Sequence, residues 1–172
     1  NLDSFKTVDP TFLLSAQEYI KRFGVEEKTT SKYLLEYALR PDAELDELSR
    51  RIASEKGLEL VKLCGYCKMK NEYGIFNAGP EEFISLIANA DYVTTNSFHG
   101  TAFSLIFRKN FNVVLPSARK GRVFDLLNKL NLNSRICENY ENANTPGINY
   151  KEVEPVLNEE IDSSKEFIKD VF

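Results

Sequence analysis

Segments rich in β-branched and aromatic residues alternate with segments of helical periodicity along the 172 residues, and that alternation predicts an α/β fold, a parallel sheet flanked by helices. Parallel strands need crossover connections, which the amphipathic segments supply. Size is a second observation. A chain of 172 residues makes one domain with a sizeable core and is short for two ordinary ones, so residues 1–172 are expected to form a single domain. Composition is the third: 42% hydrophobic and 28% charged residues are the balance of a soluble globular protein.

Phe12, Leu13, Ala16, Tyr19, Ile20 and Phe23 recur at helical intervals, with Gly24 as a stop, so the spacing predicts a helix from Pro10 to Phe23 capped by Asp9. Lys32 to Leu39 reads as a buried strand that Arg40-Pro41-Asp42 ends. A helix beginning at Asp42 or its neighbour carries Leu45, Leu48 and Ile52 and closes at Gly57; Leu58 to Leu63 is the next strand. Residues 64–78 read as a long exposed loop. Pro80 then opens a helix whose Phe83, Leu86, Ile87 and Ala90 face the sheet. Tyr92 to Thr95 is a short buried strand and Phe98 to Phe107 an apolar helix. Phe111 to Leu115 is a strand, followed by a helix bearing Val123, Leu126, Leu127 and Leu130. A short strand is expected near Arg135 to Cys137, a turn-rich loop over Asn139 to Gly147, and a last helix from Glu159 to Phe172. No internal repeat or low-complexity segment interrupts the pattern.

A net charge of −4 offers no basic face to nucleic acid, so any anion site must be local. The longest apolar runs fall far short of the roughly 20 residues of a membrane span, no charged-then-apolar leader opens the chain, and the cytoplasm is the default. The chain starts Asn1-Leu2-Asp3 and its one methionine is Met69, so it reads as a cut or processed piece of something longer. Cys64-Gly65-Tyr66-Cys67 is a single C-x-x-C, with no second pair for a four-cysteine zinc site. It follows a strand, whereas a redox couple sits at a helix start, so ordinary reduced cysteines are expected.

The stretch Ala90 to Phe107, ADYVTTNSFHGTAFSLIF, is a strand-turn-helix junction, and it holds the only histidine of the chain, His99. Asn96 or Ser97 is suited to cap the helix, with Asn96 the expected structural cap, which puts His99 at its positive end, just beyond the carboxyl end of a strand, where open α/β sheets bind ligands. An imidazole there can exchange a proton beside a bound anion; the plainer role is a partly buried histidine satisfying a carbonyl. The hydroxyls of Ser97 and Thr101 can hold a phosphate oxygen, although capping explains Ser97 equally well. Gly100 permits close approach of backbone to a ligand, or only tight packing. Arg119, Lys120 and Arg122 follow the strand ending at Leu115 and share the carboxyl edge with His99. Arg40 is a weaker cation of the same kind. Glu81 and Glu82, behind Pro80, are first-turn acids before they are catalytic carboxylates. Phe98, Phe103 and Phe107 read as core, since no aromatic-basic interleaving marks a nucleic-acid platform.

Asn77 to Val114, NAGPEEFISLIANADYVTTNSFHGTAFSLIFRKNFNVV, resembles the polysaccharide pyruvyl transferase family, with its G-P-E-E-F-like helix start, A-D-Y-V-like strand and S-F-H-G turn in this order. VDPTFLL at Val8 to Leu14, KYLLEYAL at Lys32 to Leu39 and GRVFDLLNKLNLNSR at Gly121 to Arg135 also look like the second half of that family. The resemblance implies a Rossmann-like domain, the C-terminal, donor-side half of a glycosyltransferase B type fold, with the acceptor-binding lobe outside this sequence. It implies phosphoenolpyruvate as donor and a glycan acceptor that receives the pyruvyl group as a ketal. His99 would be the acid or the phosphate contact, with Ser97, Gly100, Thr101, Arg119 and Arg122 at the donor. No metal and no cofactor is called for, and no oligomeric state is assigned. Two other readings stay open: a nucleotide-sugar glycosyltransferase half, and a non-catalytic anion-binding module.

Overall fold

A computed structural model of the chain describes residues 6–26, 32–65, 75–76, 78–115, 121–137 and 146–171. Its strands are β1 (Tyr33–Ala38), β2 (Glu59–Cys64), β3 (Ile75–Phe76), β4 (Tyr92–Thr95), β5 (Asn110–Val114) and β6 (Ile136–Cys137). They form one sheet in the order β3-β2-β1-β4-β5-β6, every pairing parallel. This is the strand order of a doubly wound nucleotide-binding sheet, in which the chain reverses direction between β1 and β4. The helices are α1 (Ala16–Phe23), α2 (Ala43–Lys56), α3 (Pro80–Asn89), α4 (Phe98–Ile106), α5 (Arg122–Lys129) and α6 (Tyr150–Val171). None of the described helices is long and apolar enough to cross a membrane.

The predicted order of elements holds, with four differences. The first helix is divided, because Asp9 caps a 3-10 turn over Pro10–Leu13 and a new N-terminus forms at Ser15. There the Glu18 N–H donates to Ser15 Oγ (3.3 Å) and the Ser15 N–H to Glu18 Oε2 (2.7 Å), a capping box that starts α1 afresh. The last helix begins at Tyr150 rather than Glu159 and runs through Pro155. Val153 and Leu157, on either side of that proline, are buried in the core, and this packing offsets the missing N–H. A two-residue strand, β3, lies within the expected loop. Finally Cys64 is disulfide-bonded, against the expectation of a reduced thiol, while Cys137 is free and buried.

Alternation along the strands sends side chains to two different cores. Leu35, Val93, Phe111 and Val113 meet Ile87 of α3, Ala102 and Phe103 of α4 and Leu127 of α5. Leu34, Ala38, Tyr92 and Val114 face α2 through Leu45, Leu48 and Ile52. On this second face the middle row is polar. Lys62, Glu36, Thr94 and Asn112 stand side by side in register across β2, β1, β4 and β5. Ser49 of α2 shares a 2.7 Å hydrogen bond with Thr94 Oγ1, and Lys62 pairs with Asp46. Glu36 is 2% exposed and its Oε2 has no hydrogen-bond partner among the described residues. Burial pushes its carboxyl above the ordinary 4.5, against the lowering influence of Ser49 and Lys62.

On the opposite face α4 is seated directly on the two central strands. A Cβ added at Gly100 would lie 2.3 Å from Thr95 Oγ1, 2.9 Å from Thr95 Cβ and 2.9 Å from Tyr37 Cδ1, distances no side chain tolerates. The helix can lie this close only because position 100 is glycine.

Two stability experiments follow from these contacts. Gly100→Ala must lift α4 off Thr95 and Tyr37, and urea titration is expected to show a loss of about 1–3 kcal/mol; an unchanged midpoint would contradict the seating. Glu36 binds its proton more tightly folded than unfolded, so its contribution is fully present below pH 4.5 and is lost as pH rises through the raised folded value. Glu36→Gln, neutral at every pH, should therefore gain on the wild type as pH rises from 4.5 to neutral. A wild-type-to-variant difference that is flat with pH would show that the carboxyl is not held protonated.

Candidate functional site

The site grows from the carboxyl end of β4, whose four residues are all buried between β1 and β5. Thr95, the last, uses its hydroxyl twice: Oγ1 donates to the Tyr37 carbonyl of β1 (2.7 Å) and accepts from the Ser97 N–H (3.0 Å). Asn96 turns the other way. Its Oδ1 accepts from the Leu39 N–H (2.8 Å) and its Nδ2 donates to the Arg40 carbonyl (3.3 Å), so one amide clamps the loop leaving β1 to the loop leaving β4. Ser97 is the cap of α4, accepting from the Gly100 N–H at 3.5 Å, and Asn96 is not. The N–H groups of Phe98 and His99, the first two of the helix, have no partner among the described residues.

His99 is exposed, and its ring stands edge-on to that of Phe98 with centroids 5.7 Å apart. The first turn of α4 carries no acid, unlike α1 (Glu18), α2 (Glu44 and Asp46), α3 (Glu81 and Glu82), α5 (Asp125) and α6 (Glu152). Its positive end is therefore the one among the described α-helices left without a side-chain carboxylate of its own.

Arg122, the first residue of α5, reaches this edge. Its guanidinium lies 3.8 Å from the centroid of the Phe98 ring, and Nη2 donates to Asp9 Oδ2 at 2.7 Å. Burial acts to raise the Asp9 carboxyl, but hydrogen bonds from Thr11 and the charges of Arg122 and His99 outweigh it and hold the group below its ordinary value. A cavity of about 320 Å³ opens beside this cluster, lined by Asp9, Phe12, Phe98, Arg122 and Leu126. A larger one of about 600 Å³ lies at the other end of α4, between α1 and α6, and shares none of the polar residues.

His99 and Arg122 are thus brought together through Phe98. Ser97 is buried and caps the helix; Gly100 is buried against the sheet; Thr101 is fully buried, its hydroxyl donating back to the Ser97 carbonyl at 3.0 Å. These three shape the turn, the side chains of Ser97 and Thr101 turned inward and the bare Gly100 backbone against the sheet. Arg119 and Lys120 lie outside the described residues. Arg40 is exposed in the loop after β1, and Glu81 and Glu82 complement the start of α3 behind Pro80. Asn96 as a clamp, Phe98 as a platform and Asp9 as the partner of Arg122 are not foreseen by the sequence reading. Among the described residues no group of three or more His, Cys, Asp or Glu side chains is placed to hold a metal ion.

Comparison with known proteins bears on the whole arrangement. Among solved structures, the UDP-GlcNAc 2-epimerase of Methanocaldococcus jannaschii, crystallised in complex with UDP-GlcNAc and UDP, is similar with a TM-score of 0.52 at 15% identity, over 86% of this chain and 46% of that one. At that identity the likeness concerns the fold, a Rossmann-like parallel sheet flanked by helices resembling one lobe of a glycosyltransferase B type structure. The chain spans about half the length of that protein, 46%. Comparison with curated proteins gave no match. A family model described as polysaccharide pyruvyl transferase matches residues 1–117, a span that runs through β5 and includes Asp9, Asn96 and His99. With more than half of its length matched, the chain belongs to the polysaccharide pyruvyl transferase family.

Proposed function

We propose that the chain is the donor-side half of a transferase that moves the pyruvyl group of phosphoenolpyruvate onto a sugar of a surface polysaccharide or its precursor, as a ketal. The observation that carries this reading is His99, an exposed imidazole in an acid-free first turn at the switch between β1 and β4, with Arg122 over the ring of its neighbour Phe98, in a chain of this family. The donor is a compact polyanion. Its phosphate suits the free N–H groups of Phe98 and His99 at the positive end of α4, and the guanidinium of Arg122 suits a carboxylate or phosphate oxygen. Arg119 stays in the proposal as a second cation, while Ser97, Gly100 and Thr101 serve the donor by holding the turn.

The chemistry asks for an acid and for fixed positive charge. Protonated His99 gives its proton to the enol methylene carbon; the carbon–carbon π pair forms the new C–H bond, and positive charge gathers on the carbon bearing the phosphate ester oxygen. One sugar hydroxyl adds to that carbon and a second displaces phosphate as the C–O bond breaks. The product is a pyruvate ketal across two sugar oxygens plus inorganic phosphate; of the two hydroxyl protons released, one returns the imidazole to its starting form and the other leaves on the phosphate.

The likeness to a protein crystallised with UDP-GlcNAc and UDP supports a second reading, a nucleotide-sugar transferase whose diphosphate would use the same helix terminus. Full-length protein given phosphoenolpyruvate and acceptor glycan should release phosphate. His99→Ala is expected to lower turnover by about 100- to 10,000-fold, and Arg122→Gln to raise the donor KM. Turnover within a few-fold of wild type in His99→Ala would leave the imidazole a packing role. Thermal stabilisation by UDP and none by phosphoenolpyruvate would favour the second reading.

A further inference from the structure

We propose that Asp9 is a positioning residue for the anion site, holding Arg122 over the ring of Phe98, the residue before His99, so that its remaining N–H donors are in place at the start of α4. The inference rests on the reading of His99 and Arg122 as anion contacts. Arg122 is 63% exposed, and an arginine that far into solvent ordinarily samples many rotamers. Here it is held at two points. Its Cζ lies over the Phe98 ring, 3.8 Å from the centroid, and one of its five N–H donors goes to Asp9 Oδ2 at 2.7 Å. The other four have no partner among the described residues.

Asp9 is itself fixed. It is 17% exposed, it caps the 3-10 turn, and Oδ1 accepts from both the Thr11 N–H (3.1 Å) and Thr11 Oγ1 (2.9 Å). The two carboxylate oxygens therefore have separate duties, one anchoring the carboxylate to the turn and the other holding the guanidinium. Asp9 and Arg122 lie 113 positions apart, and the contact joins the start of the described chain to the start of α5. A cation at the first residue of a helix opposes the helix dipole, so Arg122 needs such a tether to stay over Phe98. Once it is tethered, an incoming anion meets donors already in place and loses less freedom on binding.

A plain counter-charge would act in the opposite direction, since removing a carboxylate near an anion site ordinarily tightens anion binding. Asp9→Asn decides between the two, because asparagine caps a turn as well as aspartate and leaves Oδ1 for Thr11. In the full chain, calorimetric titration with inorganic phosphate and with phosphoenolpyruvate should show binding weakened about three- to tenfold, with the melting temperature nearly unchanged. In an Arg122→Gln background the same change should do almost nothing, since Asp9 acts through Arg122. Unchanged or tighter binding, or equal weakening without Arg122, would overturn the proposal. The Arg122 Nε–H relaxation in the ligand-free protein is an independent readout, expected to be ordered in wild type and averaged in Asp9→Asn. Should wild type bind neither anion, the functional reading falls, and equal order of that N–H in both proteins would remove the positioning role as well.

Discussion

The hydroxyl of Thr95 is the point on which the arrangement depends. It is fully buried, donates to β1 through the Tyr37 carbonyl, and accepts from the Ser97 backbone where α4 begins. Two central strands and a helix start are thereby referred to one oxygen, in surroundings of low dielectric where a hydrogen bond is stronger than in water. The same oxygen sets how near α4 can come, since it occupies the space beneath Gly100. With α4 locked this close to the sheet, Ser97 faces inward and caps the helix, and His99, two residues on, has nowhere to go but out. The exposure of the imidazole is thus a consequence of packing several residues away.

Sheet order does the rest. Because β1 and β4 are neighbours while α2 and α4 cover opposite faces, the N-termini of both helices open on the same edge. The two ends are not equivalent. Asp42 fills that of α2, its Oδ1 accepting from the N–H groups of Glu44 and Leu45, and Glu44 and Asp46 add negative charge in the first turn. The end of α4 has a neutral cap and a histidine. Each terminal charge is worth only about 0.3–1 kcal/mol, yet all of them act in the same sense, so an anion arriving at the crevice is turned from α2 toward α4. Arg122 is placed against its own helix dipole, and the opposing contributions are the Asp9 carboxylate and the face of Phe98.

The central strands and the turn around His99 are legible in the sequence because they obey local rules: β-branched and aromatic residues in short buried runs, a capping residue, and an apolar helical stripe. The split at Ser15 is also written locally, in the S-x-x-E spacing that the stronger apolar periodicity of residues 10–23 masks. What eludes a linear reading is long-range. Asn96 and Ser97 are equally good caps by type, and only the Leu39 and Arg40 backbone, 57 and 56 residues away, gives Asn96 another use. Gly100 offers two roles until Thr95 and Tyr37 are seen beneath it. Asp9 reads as a helix cap, which it is, and its second oxygen finds Arg122 only once α5 has folded back. Pro155 conceals the first turns of α6, whose reason to be helical is the core they bury rather than any propensity of their own.

The two faces of the sheet treat their polar groups differently. Lys62, Glu36, Thr94 and Asn112 cross the sheet in register, and the partners of Lys62, Thr94 and Asn112 lie within the fold: Asp46, Ser49, the Tyr92 hydroxyl and the Arg135 carbonyl. Polar groups engaged in this way are closed to a ligand, and they fix the position of α2 on the sheet. The α4 face is built instead from Leu35, Val93, Phe111, Val113 and Phe103, which satisfy each other without hydrogen bonds. Polar atoms on that side are therefore pushed to its rim, where β4 gives way to α4. Against an apolar wall such as Phe98 a charge is less screened than in open solvent, so the Arg122 guanidinium at this rim is less screened than surface exposure alone would suggest.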